Sequence, residues 1–179
     1  MKPFKSVVIE NLLVLDRQKD TLLSTPKFIV DLNSFSIERK FINVNTVQIN
    51  DGAFFLKQYK DRKKGTNLDF IIDYFNSGPP SKKKSKPFQI TVNRVILNNL
   101  QLRYKDLKVD SVVNGVNYDD IQLREMNGIF EHLDTKDHLM QANVKNLTFR
   151  EKSGFYLKNL SAFTTINSSS NPAQTFFID

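Results

Sequence analysis

The chain of 179 residues has no cysteine, no tryptophan and only two histidines. Without cysteine, neither a disulfide framework nor thiolate chemistry is available. The two histidines, His132 and His138, lie near Asp134 and Asp137, but their six-residue spacing matches no common zinc motif. With six glycines there is no glycine-rich phosphate loop and no nucleophile elbow. We therefore predict a protein that is not an enzyme and that has no metal site and no cofactor.

Long apolar runs are also missing. The longest, such as Val7–Ile9 and Leu12–Leu15, fall far short of the roughly 18 residues that a membrane-spanning helix needs. Met1 is not followed by a signal-peptide pattern. If the parent protein is exported or anchored, we expect the responsible segment to lie outside this chain.

The net charge of +7 raises the question of an anionic partner. Much of the charge lies in two loops, one around residues 60–64 and one around residues 82–86. Solvated, mobile loops are one interpretation, and a phosphate-binding patch is the other. Because most phenylalanines follow the apolar positions of strands, we interpret them as core residues and expect no nucleic-acid binding.

Alternating apolar and polar residues predict β-strands along most of the chain. Phe4–Leu15 and Lys27–Leu32, joined by the polar segment Asp16–Asp20, predict a hairpin. Residues 139–149 and 154–165 predict another strand pair.

One segment departs from this pattern. Thr66–Asp69 resembles a capping box with Asp in place of Glu, and apolar residues then recur at helical spacing. A short helix over residues 67–76 is predicted, packing against one end or edge of the sheet.

An internal repeat is the most informative feature. Ile42-Asn-Val-Asn-Thr-Val-Gln-Ile-Asn50 recurs as Ile90-Thr-Val-Asn-Arg-Val-Ile-Leu-Asn98, and a later Tyr-Lys-Asp follows each copy. Each copy changes parity once, so a β-bulge at Asn45-Thr46 and at Asn93-Arg94 would return all its apolar side chains to one face. The turn-forming residues 50–52 and 98–99 predict a hairpin after each copy.

The fold class predicted is mainly β, with repeated antiparallel hairpins in a curved, groove-like or taco-like sheet. Residues 1–76 form a β-rich first repeat with the short helix, residues 77–87 a flexible Lys/Pro loop, and residues 88–179 a second repeat and tail. We expect these parts to form one continuous domain within a larger protein.

The opening Phe4-Lys-Ser-Val-Val-Ile-Glu-Asn-Leu, the Asp20-Thr-Leu-Leu23 turn, the repeated strands and Asn67-Leu-Asp-Phe-Ile-Ile72 before a Lys/Pro loop resemble the AsmA-like/TamB family. The resemblance extends to about residue 166 and is closest to long envelope members of Bacteroidetes-type bacteria. It implies a periplasmic protein, anchored in the inner membrane through a segment absent from this chain. Its β-groove would carry phospholipid between the two membranes or serve outer-membrane assembly.

The partners expected are phospholipid or acyl chains, neighbouring β-repeats of the same protein and outer-membrane assembly proteins. An apolar sheet face suits acyl chains, because each buried methylene contributes about 0.8 kcal/mol. The alternative is a structural or protein-interaction module with a closed sandwich core. The residues expected to line either the groove or that core are Ile42, Val44, Val47, Ile49, Ile90, Val92, Val95 and Leu97.

Overall fold

The computed structural model describes residues 6–60, 65–71, 89–109, 114–136 and 139–167. Eight strands form one sheet in the order β1-β2-β3-β5-β6-β7-β8, and β4 pairs with both β2 and β5. All pairings are antiparallel except those of β3 and β4 with β5. The strands are β1 (Ser6–Leu15), β2 (Thr21–Ser36), β3 (Phe41–Asn50), β4 (Ala53–Gln58), β5 (Gln89–Asp106), β6 (Asp120–Lys136), β7 (Leu139–Glu151) and β8 (Tyr156–Asn167).

The mainly β prediction is confirmed, as are the hairpin at the N-terminus and the strand pair at residues 139–167. The substantial contacts between strands in the described part of the chain all join neighbours in the sheet. The described strands therefore form a single layer, without a second sheet packed on either face.

The two copies of the repeat lie side by side in the sheet, in parallel and in register. Ile42 pairs with Ile90, and the match continues to Asn50 and Asn98. Polar side chains also join the copies: the Asn98 amide donates to Asn50 Oδ1 at 2.8 Å, and the Thr91 hydroxyl donates to Asn43 Oδ1. The Tyr-Lys-Asp sequences that follow the two copies do not pair with each other, because Tyr104 pairs with Leu56 rather than with Tyr59.

The predicted hairpin after each copy is wrong. β5 continues through Asn98 and Asn99 as one strand, and β4 continues β3 past Asp51 in the same direction, still parallel to β5. Asp51 and Asn99 instead adopt left-handed backbone conformations, with φ of 50° and 53°. Asn and Asp tolerate that conformation, so the same residues that favour turns also favour bulges within a strand.

These irregularities form a line across the sheet, which we call the crease. Asn11, Asp51, Asn99 and Glu125 occupy it on successive parts of the sheet, each with φ between 50° and 54°. The Asn99 amide donates to Asp51 Oδ1 at 2.8 Å, and the Asn99 N–H donates to Asn127 Oδ1 at 2.9 Å. Left-handed residues aligned across neighbouring strands favour a bend at that level and therefore a curved sheet.

Gly52 lies on the crease where β2, β4 and β5 meet. A Cβ atom at this position would lie 2.7 Å from Ile49 Cγ2 and 3.2 Å from Leu100 Cδ1. The close packing of the strands at the bend therefore requires glycine.

The predicted bulge in the first repeat copy is confirmed by the register. Thr46 pairs with Asp31 and Val44 with Leu32, which leaves Asn45 as an extra residue of β3. In the second copy, the pairing of β5 with β6 has no register shift at Asn93, so this pairing does not contain the bulge predicted at Asn93-Arg94.

Of the predicted helix, residues 67–68 form a turn, residues 69–71 are helical, and residues 72–76 lie outside the described residues. Thr66 and Asp69 form the expected capping contacts, with the Thr66 N–H donating to Asp69 Oδ1 at 3.0 Å. Asn67 docks this segment on the edge of β4 through three hydrogen bonds to the backbone of Lys57 and Phe55. The expected Lys/Pro loop over residues 77–87 lies outside the described residues.

Candidate functional site

One face of the sheet is apolar across its strands. Residues that pair across neighbouring strands share a face, so the register identifies its members. Phe28 pairs with Ile49, which pairs in turn with Leu97, and Ile9 extends the same row to the edge strand β1. Val30, Val47 and Val95 form a second such row.

A cluster of buried residues on this face lies at the crease. Leu97, Leu100 and Met126 are 7%, 3% and 7% exposed and form a cluster. Leu97 and Leu100 lie on opposite sides of Asn99, so the bulge brings both onto one face. The half-buried residues around the cluster are Ile49, Phe54, Val95, Leu102, Leu123, Phe130, Leu147 and Phe149.

At the edge strand β1, and along the strands away from the crease, the apolar face becomes accessible. Val7 and Ile9 are 40% and 38% exposed, and Phe35 and Ile90 are 49% and 38% exposed. We call this apolar face the trough, with its floor at the crease, its walls at Phe35 and Ile90 and one end at Val7 and Ile9. Six steps of about 4.8 Å between neighbouring strands give it a length of about 29 Å, close to the roughly 30 Å hydrocarbon thickness of a bilayer.

The eight residues predicted from the repeat all lie in adjacent parts of β3 and β5. Ile42, Val44, Val47 and Ile49 pair directly with Ile90, Val92, Val95 and Leu97, respectively. Val44 and Leu97 are buried, Ile90 is exposed, and the other five are half-buried. Ile49, Val95 and Leu97 belong to the packed floor, whereas Ile90 lies on the wall.

The prediction missed the rest of the floor, which comes from β4, the second half of β5, β6 and β7. Leu100 and Met126 are its most buried members outside the repeat. Their apolar alternation was visible, but each strand changes parity at a left-handed residue, such as Glu125 in β6 and Asn146 in β7. A parity change at each left-handed residue would have identified these residues.

The opposite face carries ion pairs between strands. Glu131 of β6 is 8% exposed and binds both Arg94 of β5, at 2.7 Å, and Lys145 of β7, at 2.6 Å. The hydrogen bond from Lys145 lowers the pKa of Glu131, and the bond from Arg94 adds to this against the opposing effect of burial. We call this face the charged face.

A second group on the charged face centres on Asp120. Its carboxylate lies 3.0 Å from Lys152 Nζ, 3.4 Å from Arg103 Nε and 3.5 Å from Lys105 Nζ. Burial alone would raise the pKa of Asp120, but the contacts with Lys152, Gln122 and Arg103 outweigh it and lower the pKa. The Asp120 carboxylate thus forms ion pairs with three cations.

A network of polar side chains around Asp16 lies beside β4. Asp16, only 6% exposed, accepts hydrogen bonds from the Gln18 and Asp20 N–H groups, each at 2.9 Å, from the Asn67 amide at 3.2 Å and from the Tyr59 hydroxyl. Burial opposes its ionisation, but these bonds prevail and lower the pKa of Asp16. Burial, together with the bonds to Asp16 and Asp20, raises the pKa of Tyr59 well above its ordinary value. This network ties the β1–β2 turn to β4 and to the capped segment.

The described residues contain no group of three or more His, Cys, Asp or Glu side chains placed to hold a metal ion. Nor does this part of the chain contain a helix long and apolar enough to cross a membrane. Comparisons with protein-family models, with curated proteins and with solved structures give no match to this chain.

Proposed function

We propose that this chain is a segment of a periplasmic bridge-like protein whose apolar trough carries phospholipid between the inner and outer membranes or during outer-membrane assembly. The observation that supports this most directly is the single-layer sheet, whose apolar face spans about 29 Å across the strands. In a closed sandwich, a second sheet would cover that face, and the described strands provide none.

Acyl chains match the chemistry of the trough. Its floor and walls are aliphatic and aromatic, and the ion pairs lie on the opposite face. A large contiguous apolar surface left in water is unusual for a soluble protein and normally marks a binding surface. Burying eight methylenes of one acyl chain would gain roughly 6 kcal/mol before the entropic cost of ordering the chain.

The parallel repeat also fits a trough that is extended by adding units. Ile42 to Asn50 and Ile90 to Asn98 place aliphatic side chains at the same levels of neighbouring strands. A path across the strands therefore meets a similar apolar surface at each copy. This arrangement suits a chain sliding along the trough rather than one fixed ligand pose.

The test is lipid occupancy of the purified chain, measured by native mass spectrometry after extraction from a membrane-rich lysate. We expect phospholipid or fatty acid to copurify with the wild type. Val47→Asp combined with Val95→Asp places two charges on the trough, and we expect this variant to lose the lipid. Circular dichroism checks that the variant remains folded.

A matched control places the same charges on the other face. Gln48 and Gln101 lie on the charged face, one residue out of phase with the trough positions. Gln48→Asp combined with Gln101→Asp should retain lipid. A lipid-free wild type would favour the protein-interaction alternative, and equal lipid recovery from the two folded double variants would contradict the proposed path.

A further inference from the structure

A separate pocket opens on the charged face, between β4, β5 and the start of β2. It has a volume of about 470 Å³ and is lined by Asp20, Lys57, Arg103 and Lys105, with Phe55 and Leu107 as apolar walls. Lys57 pairs with Lys105 and Phe55 with Arg103 across the parallel strands, so these four side chains share one face. That face is opposite to Leu102, which belongs to the floor of the trough.

The pocket has more positive than negative charge. Lys57 binds Asp20 at 3.1 Å, while Arg103 and Lys105 share Asp120 with Lys152. The four cations include Lys152, which lies beside the pocket lining together with Asp120. Asp16 shares the Tyr59 hydroxyl with Asp20 and adds a third carboxylate to Asp20 and Asp120, so one positive charge is in excess.

The cations are held in place rather than free in solvent. The Lys57 and Lys105 side chains are only 29% and 26% exposed, and Arg103 is 47% exposed. The contact of Arg103 with Asp120 is through Nε at 3.4 Å, which is long for a charge-assisted hydrogen bond. Asp20 is fixed in turn by the Tyr59 hydroxyl at 3.0 Å, so the wall that carries Lys57 is rigid.

We propose that this pocket binds a phosphate monoester group whose substituent is at least partly apolar. A phosphate monoester carries a charge of about −1.5 to −2 near neutral pH, which is attracted to the excess positive charge of the pocket. An arginine between two lysines offers donors to several phosphate oxygens at once. Phe55 and Leu107 would contact the substituent, so we expect a monoester to bind more tightly than a bare anion.

This inference does not depend on the trough function, because the pocket lies on the opposite face. The test uses isothermal titration of the full chain with dihexanoyl phosphatidic acid, glycerol 3-phosphate and inorganic phosphate. We expect one site, with affinity that falls as sodium chloride is raised. Both monoesters should bind more tightly than inorganic phosphate. A further preference for the lipid phosphate over glycerol 3-phosphate would identify a lipid headgroup as the source, and equal binding of these two would identify a soluble phosphate monoester.

Arg103→Gln and Lys105→Gln should each weaken binding at least tenfold, because each removes a charge-assisted contact. Arg124→Gln is the matched control: it removes the same charge from an exposed position of β6 outside the pocket and should change affinity less than twofold. The Val47→Asp, Val95→Asp variant should still bind glycerol 3-phosphate, which separates this proposal from that of the trough.

Three results would overturn the proposal. These are no phosphate binding by the wild type at millimolar concentration, unchanged affinity in both pocket variants, and an equal loss in Arg124→Gln. If a pocket variant unfolds, Lys57→Gln provides a third substitution in the same wall.

Discussion

Replacing Asp16 by alanine tests whether the buried polar network is needed to hold the β1–β2 turn against β4. The substitution removes the acceptor of four hydrogen bonds. Two of the donors keep another partner, since Tyr59 still reaches Asp20 Oδ2 at 3.0 Å and the Asn67 amide still reaches the Phe55 carbonyl at 2.9 Å. The N–H groups of Gln18 and Asp20 are therefore the donors that lose their acceptor.

The size of the effect follows from those two bonds. A hydrogen bond to a charged group contributes about 1.5–3 kcal/mol, and water can replace part of it in a turn that is partly exposed. We expect Asp16→Ala to lower the free energy of unfolding by about 3 kcal/mol. For a chain of this size, that corresponds to a fall in Tm of roughly 6–12 °C.

Urea unfolding followed by circular dichroism measures this change. Asp31→Ala is the matched control, because Asp31 lies within β2 and makes no hydrogen bond or ion pair through its carboxylate in the described part of the chain. This substitution should lower the free energy of unfolding by less than about 1 kcal/mol. Asp16→Asn keeps an acceptor oxygen, so its loss of unfolding free energy should lie between those of Asp16→Ala and Asp31→Ala. A loss below about 1 kcal/mol in Asp16→Ala would refute the argument that this carboxylate organises the turn.

Two further predictions concern the trough and the charged face. Leu97→Ala should lower the free energy of unfolding by about 2–4 kcal/mol, because Leu97 is only 7% exposed. Ile90→Ala, at a residue that is 38% exposed, should lower it by about 1 kcal/mol. Chemical unfolding measures both changes, and equal losses would contradict a floor at the crease. Stability should be constant from about pH 8 to pH 6 and should decline as the pH falls below the ordinary values of 3.8 for Asp and 4.5 for Glu. The reason is that the folded-state pKa values of Asp120 and Glu151 are lowered, so the unfolded chain binds more protons in that range. Stability that rose on acidification would show that these carboxylates are not stabilised by folding.

Local features of the sequence were sufficient to predict the local structure. The hairpin around Asp16–Asp20 and the capping contacts of Thr66 with Asp69 both involve residues close in the chain. The bulge at Asn45 also followed from a parity change within one strand. Each of these depends on backbone preferences that a short window of sequence contains.

The pairing of the repeat could not be predicted in the same way. Asp51 and Asn99 are compatible with a hairpin turn and with a left-handed bulge, and their local sequences do not separate the two. The choice is made by partners 48 residues away, where side chains such as Asn50 and Asn98 bond each other directly. The network of Asp16 with Tyr59 and Asn67 likewise joins residues 43 and 51 positions apart.

The crease explains how one sheet can present two chemically different sites. A flat strand with one parity change would expose half its apolar residues on each face. A second change, at Asn99 in β5, returns Leu100 to the side of Leu97 and leaves Arg103 and Lys105 on the other. The same bulge that closes the floor of the trough therefore also aligns the cations of the pocket. A lipid with its acyl chain in the trough cannot place its headgroup in that pocket through the sheet, so any occupants of the two sites are separate molecules.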